Sequence, residues 1–446
     1  MISADVATVL PAARLRGELR LPGDKSISHR ALILATLAEG ESRITGAGDG
    51  ADVRSTAGVM RALGATVEVR PDDDGRNVSY RVVSPGSDGL EEPAGILDCG
   101  NSGTSLRLIA GVLAGLPMTA VLDGDASLRG RPVARIIEPL RRMGAVLHGR
   151  RHDSLPPLTV VGHTPLLGTD YATPVPSAQV KSAILLAGLR ADGRTTVRER
   201  VATRDHTERM LRARGVPVEQ ANIGEGVAVS VEGGMTVQAI DQHVPADVSA
   251  AAFWLVAGSI HRDAELTLRD VGVNPTRRAV IDILRAMGAA IEERPVGPSA
   301  DPVAGEPMAD VIVRSADLRA IDLGPGDVAS AIDEIPVLCL AAARAHGTTT
   351  IRGAGELRHK ESDRIAGIAA GLEAVGAEVE VDGDDLRIRG GTTFRGGSVD
   401  SLDDHRLAMT FAVAGLVAAD GTTIERSGSA AISYPGFFAD LEGVRA

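Results

Sequence analysis

The sequence predicts an α/β protein of two domains, each built from three copies of one unit of strands and helices. Its 446 residues exceed what one ordinary core buries and suggest about two or three domains. Two kinds of helix ending, each followed by a strand, also alternate along the chain. They return about six times, at intervals of roughly 70 to 85 residues. A repeated βαβαββ-type unit accounts for both observations.

The first helix ending is an apolar helix that closes on a small residue and Gly, as in residues 37–44. It recurs around Gly115, Gly193, Ser259, Gly347 and Gly421. The second ends in Leu-x-x-x-Gly-Ala or a close variant, at 60–65, 140–145, 284–289, 211–215 and 372–376. The Gly is expected to cap the helix in the left-handed conformation. The alternation that follows, as in residues 377–381, predicts a half-exposed strand.

Six such units could form one solenoid or two domains of three units. Solenoid repeats are usually shorter, about 20 to 50 residues, which favours two domains. We expect residues 23–243 to hold the first three repeats. Residues 1–22 and 244–446 together would hold the other three, because the first strand (15–21) is expected to pack on the C-terminal half.

Composition excludes several classes of protein. With 44% hydrophobic and 24% charged residues, disorder is not expected. The net charge of −12 argues against non-specific nucleic-acid binding. Two isolated cysteines, Cys99 and Cys339, form neither a disulfide framework nor a metal-binding spacing. We read no signal peptide and no membrane span, so a reducing cytoplasm is expected, with no metal.

Polar motifs occur at helix starts, where unpaired N–H groups and the positive end of the helix dipole attract anions. Lys25, Ser26 and Arg30 precede the first apolar helix. The Gly-rich run 99–107 contains Gly103 and is followed by Arg131, just before Pro132 at another predicted helix start. The alternative for each motif is an ordinary capped helix with solvated charges.

The third motif spans residues 174–182. Ser177 is expected to cap a helix, Gln179 could bridge two ligands, and Lys181 could be a structural charge. Arg204 is the better ligand candidate in the run that follows, because residues 207–209 are expected to form an exposed first turn. The chain contains three lysines, Lys25, Lys181 and Lys360, and each lies in a polar motif.

The C-terminal half carries a fourth group of charged residues. Asp333 lies in the run that opens a predicted apolar helix. A charged carboxylate within such an apolar run calls for a functional explanation. Residues 358–364 pack Lys360, Glu361 and Arg364 close together, where the alternative is a solvated face. Arg406 begins another apolar helix and could clamp an anion.

Six motifs in this order resemble the 5-enolpyruvylshikimate-3-phosphate (EPSP) synthase family. They are Lys-Ser-Ile-Ser-His-Arg (25–30), Gly-Asn-Ser-Gly-Thr (100–104), Arg-Pro (131–132), Ser-Ala-Gln (177–179), Lys-Glu-Ser-Asp-Arg (360–364) and Asp-His-Arg (404–406). The resemblance implies two inside-out α/β barrel-like domains with an active site in the cleft between them. It also implies a cytoplasmic monomer that needs no cofactor and adds the enolpyruvyl group of phosphoenolpyruvate to shikimate 3-phosphate.

The resemblance also implies roles for individual residues. Lys25, Asp333 and Glu361 would transfer protons. The residues around phosphoenolpyruvate would be Lys25, Gly103, Arg131, Gln179, Arg364 and Arg406. Those holding shikimate 3-phosphate would be Lys25, Ser26, Arg30, Ser177, Ala178, Gln179, Arg204, Asp333 and Lys360. Plant-like members carry Ser-Ser-Gln and a C-terminal Lys where this chain has Ala178 and Ile432, so the chain resembles the other bacterial class.

Two other functions compete with this one. The first is a UDP-N-acetylglucosamine enolpyruvyl transferase, which shares fold and donor but carries a reactive Cys at a loop position that Cys99 does not match. The second is a non-catalytic repeat protein that binds phosphorylated metabolites. Asp333 and Glu361 weigh against it, because simple anion binding gains nothing from carboxylates. An RNA-cyclase-like relative would need a basic or aromatic stripe, which we do not find.

Overall fold

The computed structural model describes residues 5–72, 75–224, 226–297 and 305–445. The strands are β1 (Val6–Val9), β2 (Leu15–Arg20), β3 (Glu39–Gly48), β4 (Thr66–Pro71), β5 (Asn77–Pro85), β6 (Leu97–Asp98), β7 (Thr119–Asp123), β8 (Val146–Gly149), β9 (Leu155–Val161), β10 (Leu166–Leu167), β11 (Asp170–Ala172), β12 (Ala191–Asp192), β13 (Arg194–Glu199), β14 (Val218–Ile223), β15 (Gly226–Glu232), β16 (Gln242–His243), β17 (Ala264–Gly272), β18 (Ala290–Val296), β19 (Met308–Arg314), β20 (Asp322–Leu323), β21 (Thr348–Ile351), β22 (Glu378–Asp382), β23 (Asp385–Arg389), β24 (Gly397–Asp400) and β25 (Thr422–Glu425).

The helices are α1 (Lys25–Leu37), α2 (Ala51–Ala62), α3 (Gly103–Ala114), α4 (Ala134–Arg142), α5 (Arg150–Asp153), α6 (Ala178–Gly188), α7 (His206–Ala213), α8 (Val248–Ile260), α9 (Ala279–Ala286), α10 (Pro325–Ser330), α11 (Ile335–Arg344), α12 (Arg364–Ala374), α13 (His405–Val417) and α14 (Phe437–Gly443). Among them, α5 is a single turn with positive φ at Arg151 and His152. Short 3-10 helices cover Ser87–Gly89, Leu128–Gly130, Gly355–His359 and Ser427–Ile432.

Repetition is visible in how the strands pair. In the sheet β6-β7-β9-β8, a short strand runs parallel to a longer one, and two antiparallel strands follow. Within the described ranges, the same order recurs in β16-β3-β5-β4, β11-β13-β15-β14, β2-β17-β19-β18 and β20-β21-β23-β22. It recurs without its last strand in β24-β25-β1. The repeated unit is therefore a mixed α/β unit, and some of its strands come from distant parts of the chain.

Each of these repeats contributes one helix that is buried almost all round. Every residue of α8 is buried, and α1, α3, α6, α11 and α13 are buried along nearly their whole length. Helices with an apolar face on every side must lie inside a core. The remaining helices, such as α2 and α4, bury only one face.

The helix caps follow the predicted pattern. Ser177 caps α6, with its Oγ accepting the N–H of Val180 at 3.4 Å. The glycines after the second kind of helix ending all have positive φ: Gly64, Gly144, Gly215, Gly288 and Gly376. Both predictions are confirmed, because a residue without Cβ is the least strained choice where φ is positive.

The chain divides into two compact units. Unit 1 consists of Met1–Pro22, Pro245–Pro298 and Pro307–Ala446, and unit 2 of Gly23–Val244 and Ser299–Glu306. Each unit has its own hydrophobic core. One core draws only on unit 1, from Val9 to Val444, and the other only on unit 2, from Ile27 to Val244.

Candidate active site

The candidate residues of unit 2 collect at the N-terminal ends of its buried helices. Lys25 is the first residue of α1, and its Nζ lies 3.2 Å from Oδ2 of Asp52 on α2. Burial raises the pKa of Asp52, but the charge of Lys25 and its hydrogen bond help to outweigh this effect, and the pKa is lowered. Arg131 also contributes to this lowering, so Lys25 and Arg131 act on the same carboxylate.

Gly103 opens α3 beside two arginines. A Cβ at Gly103 would lie 2.8 Å from Nη1 of Arg107 and 3.7 Å from Nη1 of Arg131. Arg131 is held in turn by Asn101, whose Oδ1 accepts from Nη2 at 2.6 Å. Arg131 does not start a helix, as the sequence suggested, because α4 begins only at Ala134.

Gln179 on α6 has a fixed side-chain orientation. Its Oε1 accepts from Nη1 of Arg107 at 2.6 Å, and its Nε2 donates to Oγ1 of Thr104 at 2.9 Å. Arg107 also donates to the backbone oxygen of Pro132 at 3.2 Å. Sequence reasoning missed Arg107, although it lies in the Gly-rich run 99–107, because the contacts of a helical Arg that faces inward leave no local pattern.

Arg30 is buried, with 4% of its surface exposed, and its guanidinium is oriented by three partners. They are the backbone oxygen of Ser26 at 2.9 Å, Oγ1 of Thr207 at 2.8 Å and Oγ of Ser182 at 2.8 Å. Burial lowers the pKa of Arg30 to about 10, so the group remains a cation at neutral pH. These bonds use three of its five N–H donors.

The prediction of an exposed turn at 207–209 is wrong. Thr207, Glu208 and Arg209 are all buried. Thr207 binds Arg30, and Glu208 forms an ion pair with Lys181 at 2.8 Å. The sequence alone predicts solvent exposure for a polar run like this one, because the side chains that pair with it lie on other elements. Arg204, just before this run, is half-buried in the loop between β13 and α7.

In unit 1, Asp333, Lys360, Glu361 and Arg364 form one cluster. Oδ1 of Asp333 lies 3.8 Å from both Nζ of Lys360 and Nη1 of Arg364. Nη2 of Arg364 donates to Oε2 of Glu361 at 2.6 Å, and its Nε donates to Oδ2 of Asp404 at 2.7 Å. Burial would raise the pKa of Glu361, but the charges of Arg364, His405 and Arg406 outweigh it and lower the pKa to about 2.

Arg406 at the start of α13 adjoins a second buried ion pair. Nη2 of Arg277 lies 3.0 Å from Oε1 of Glu334, and Nη1 of Arg406 lies 3.6 Å from the same oxygen. Ser249 donates to Glu334 and accepts from Arg277. Sequence reasoning noted the run that contains Glu334 and missed Arg277 and Ser249, which lie in no motif that it singled out.

The structure thus gives each unit a group of cations near the N-terminal ends of helices. In unit 2 it brings together Lys25, Gly103, Arg131 and Gln179, with Ser26, Arg30, Ser177, Ala178 and Arg204 on the same helices or the adjoining loop. In unit 1 it brings together Asp333, Lys360, Glu361, Arg364 and Arg406. Convergent charge-assisted donors of this kind bind phosphates and carboxylates.

Two further observations concern ligands and membranes. In the part of the chain that the structure describes, no group of three or more His, Cys, Asp and Glu side chains could hold a metal ion. None of the helices in the described ranges combines the length and the apolar character that crossing a bilayer requires.

Comparison with known proteins identifies the family. The family model described as EPSP synthase (3-phosphoshikimate 1-carboxyvinyltransferase) matches residues 9–441. A 3-phosphoshikimate 1-carboxyvinyltransferase from Gloeobacter violaceus is 51% identical over 441 residues, covering 98% of each chain. One from Halorhodospira halophila is 52% identical over 429 residues, covering 96% of this chain and 94% of its own.

Solved structures agree with this assignment. An EPSP synthase structure from Acinetobacter baumannii matches with a TM-score of 0.87 at 39% identity, covering 99% of this chain and 98% of that one. Family model, sequence relatives and fold all extend over nearly the full length, and the chain therefore belongs to the EPSP synthase (3-phosphoshikimate 1-carboxyvinyltransferase) family.

Proposed function

We propose that this chain transfers the enolpyruvyl group of phosphoenolpyruvate to the 5-hydroxyl of shikimate 3-phosphate and releases phosphate, by addition and elimination through a tetrahedral intermediate. As a member of this family, it is a transferase of the shikimate pathway, which leads to the aromatic amino acids. The observation that carries the proposal is the combination of clustered cations with two carboxylates, Asp333 and Glu361, just before the helices α11 and α12.

Addition requires that the acceptor hydroxyl lose a proton while the enol carbon gains one. We assign the first task to Asp333, which lies beside Lys360 and Arg364. The two cations would hold the phosphorylated acceptor while the carboxylate takes the hydroxyl proton. A general base must lie within hydrogen-bond reach of the proton that it removes.

We assign proton exchange at the enol carbon and at the leaving phosphate to Glu361 and Lys25. Without substrate, the cations around Glu361 keep it ionised, with a pKa of about 2. Phosphoenolpyruvate would bring a carboxylate and a phosphate to the same arginines. Negative charge added there raises the pKa of a nearby carboxyl group, which moves Glu361 toward a form that can donate.

The remaining residues are assigned to binding. Lys25, Gly103, Arg131, Gln179, Arg364 and Arg406 would surround phosphoenolpyruvate. Lys25, Ser26, Arg30, Ser177, Ala178, Gln179, Arg204, Asp333 and Lys360 would hold shikimate 3-phosphate. Both sets draw on the two units, so we propose that the two clusters act on the same bound substrates. Offsetting several anionic charges by oriented cations is the main electrostatic task of such a site.

The finer assignments are also part of the proposal. Ser177-Ala178-Gln179, together with Ile432 in place of Lys, supports the bacterial class with the Ser-Ala-Gln motif. Buried helices with sheets packed against them support an inside-out α/β barrel for each unit. We propose a monomer of the cytoplasm, and two buried thiols that form no disulfide, Cys99 and Cys339, suit a reducing compartment.

The test is phosphate release from phosphoenolpyruvate in the presence of shikimate 3-phosphate. Glu361→Gln and Asp333→Asn should each lower kcat by about 10²-fold or more, because general acid–base catalysis contributes that much. Glu378→Gln, at a surface ion pair with Arg389 in unit 1, is the matched control and should keep normal turnover. Normal rates in Glu361→Gln or Asp333→Asn would refute that residue's role.

The same assay separates the two acceptors. The relatives named above are 3-phosphoshikimate enzymes, so we expect phosphate release with shikimate 3-phosphate and none with UDP-N-acetylglucosamine. Binding of shikimate 3-phosphate without phosphate release would instead favour the non-catalytic function.

A further inference from the structure

Lys181 on α6 is an ammonium group enclosed by unit 2. Its side chain is 1% exposed, and its Nζ lies 2.8 Å from Oε2 of Glu199 and 2.8 Å from Oε1 of Glu208. Burial lowers the pKa of Lys181, but the two carboxylates outweigh it and raise the pKa, so the group is a cation. Burying three charges is costly, and apolar residues of similar size often replace such groups without loss of stability.

These charges hold the loop that carries Arg204. Nζ of Lys181 donates to the backbone oxygen of Thr203 at 3.3 Å. Glu199, at the end of β13, accepts from the backbone N–H of Thr203 at 3.3 Å and from its hydroxyl at 2.6 Å. Thr203 is therefore bound through its N–H, its carbonyl and its side chain, directly before Arg204. The loop between β13 and α7 has no regular secondary structure to orient it otherwise.

A neighbouring group of hydrogen bonds holds Arg30. Ser182 follows Lys181 on α6, and Thr207 precedes Glu208 on α7. The hydroxyls of Ser182 and Thr207 lie 2.7 Å apart, and each accepts an N–H of Arg30 at 2.8 Å. The two groups of polar contacts thus meet at neighbouring residues of α6 and α7, and together they join α1, α6, α7 and the Arg204 loop. Arg30 is oriented by these bonds and Arg204 directly follows the bound Thr203, and both arginines are assigned above to shikimate 3-phosphate.

We infer that Lys181 is a positioning residue for shikimate 3-phosphate, which acts by fixing the Thr203 backbone and hence the direction of Arg204. The inference rests on the proposed role of Arg204. An ammonium with three donors suits this task, because it satisfies Glu199, Glu208 and the Thr203 carbonyl in three fixed directions. An apolar side chain in its place would fill the space and leave the loop without these bonds.

The test compares Lys181→Met, Arg204→Ala and the double variant in steady-state kinetics. Lys181→Met should raise KM for shikimate 3-phosphate by about tenfold, the effect of losing one oriented charge-assisted contact. KM for phosphoenolpyruvate and kcat should each change by less than about twofold relative to the wild type. The double variant should be no worse than Arg204→Ala, because the two residues act on one contact.

Each other result has a distinct meaning. Multiplied effects in the double variant would overturn the inference, because Lys181 would then act independently of Arg204. A raised KM for shikimate 3-phosphate in Arg204→Ala alone would leave the role of Arg204 standing and refute that of Lys181. An unchanged KM in Arg204→Ala would refute the proposed role of Arg204 and the inference with it.

A milder variant covers the case in which Lys181→Met does not fold. Thr203→Val removes the hydroxyl that donates to Glu199 and leaves all three charges paired. It should raise KM for shikimate 3-phosphate by about two- to threefold and leave KM for phosphoenolpyruvate unchanged. Equal KM values for shikimate 3-phosphate in this variant and the wild type would overturn the inference.

Arg214→Met is the matched control for the loss of a buried cation in the same unit. Arg214 is fully buried, and it donates to the backbone oxygen of Gln238 and the side chain of Gln242. It should lower the melting temperature and leave the ratio of the two KM values as in the wild type. The same shift in that ratio as in Lys181→Met would mean general destabilisation and would refute a positioning role.

Discussion

Asp404 has two tasks at the start of α13. Its Oδ2 accepts from Nε of Arg364 at 2.7 Å, and its Oδ1 accepts from the backbone N–H of Arg406 at 2.9 Å. Both Asp404 and Arg364 are almost completely buried. The carboxylate is thus the counter-ion of one proposed phosphoenolpyruvate ligand and the helix cap beside another.

Asp404→Asn separates the two tasks, because an amide oxygen can still cap the helix. We expect the free energy of unfolding at pH 7 to fall by about 3 kcal/mol, since a buried cation loses one of its carboxylates. Burial raises the pKa of Asp404, but the charge of Arg364 outweighs it and lowers the pKa. The stabilisation is therefore complete above the unfolded pKa of about 4 and lost as pH falls through the folded pKa.

Urea unfolding of wild type and Asp404→Asn at pH 7 and at several values below pH 4 measures this difference. The gap between the two proteins should be widest at pH 7 and should narrow in acid. Glu378→Gln, at an exposed ion pair, should stay within about 0.5 kcal/mol of the wild type. A gap that does not narrow in acid would contradict the role of Asp404 as the counter-ion of Arg364.

Site residues were predictable from the sequence where all the charged residues of a motif lie together at one helix start. Residues 25–30, 360–364 and 404–406 carry their charged groups side by side in the sequence. Arg277 and Arg107 were not predictable in this way. Arg277 pairs with Glu334, 57 positions away, and Arg107 orients Gln179, 72 positions away. Such pairs form only when separate elements pack, and no local pattern encodes them.

At the scale of helices, α3 and α6 pack closely because of a glycine. A Cβ at Gly111 would lie 2.3 Å from the backbone oxygen of Ala183, far inside contact distance. Gly58 on α2 is the opposite case: it is exposed, and a Cβ there would meet nothing within 4 Å. Gly111 and Gly58 are thus both helical glycines, but the first is packed against another helix and the second is not.

Gly111→Ala should therefore destabilise unit 2, by about 1–3 kcal/mol, although Ala favours a helix, because the added methyl forces α3 and α6 apart. Gly58→Ala should stabilise it by about 0.5–1 kcal/mol through helix propensity alone. Denaturant unfolding of both variants measures whether each substitution lowers or raises the free energy of unfolding. Stabilisation by Gly111→Ala would contradict the close packing of these helices.

Repeated helix endings made the elements themselves predictable, because a Gly with positive φ after an amphipathic helix is a local requirement. The burial of residues 207–209 was not predictable from the sequence, because the residue that neutralises Glu208, Lys181, lies on another helix. The short parallel pair β10–β12 also escaped sequence reasoning. Two residues in each strand are too few to give a periodic signal.

At the scale of the whole molecule, separate cores imply separate folding. The core of unit 2 draws only on residues between Ile27 and Val244. We expect a fragment of residues 23–244 to fold and to unfold in one cooperative transition, observed by circular dichroism in urea. It should be less stable than unit 2 in the full chain, because it lacks Glu306, whose Oε1 lies 2.8 Å from Nδ1 of buried His206.

A fragment of residues 245–446 is the matched comparison. It lacks β2, the parallel partner of β17, and β1, the antiparallel partner of β25. Exposed strand edges promote association, so we expect this fragment to aggregate. A soluble, folded 245–446 fragment would show that unit 1 does not need β1 and β2, and an unfolded 23–244 fragment would contradict the separation of the two cores.

The pairing of β1 with β25 sets the order of events during synthesis on the ribosome. Val6 emerges early but pairs with Glu425, so at about 5–20 residues per second its partner arrives roughly 20 to 80 seconds later. Residues 23–244 are complete well before that time. Meanwhile β1 stays unpaired, whereas β2 can pair with β17 once residues 264–272 have left the exit tunnel, and the charges of Arg16, Glu18 and Arg20 keep β2 hydrated until then.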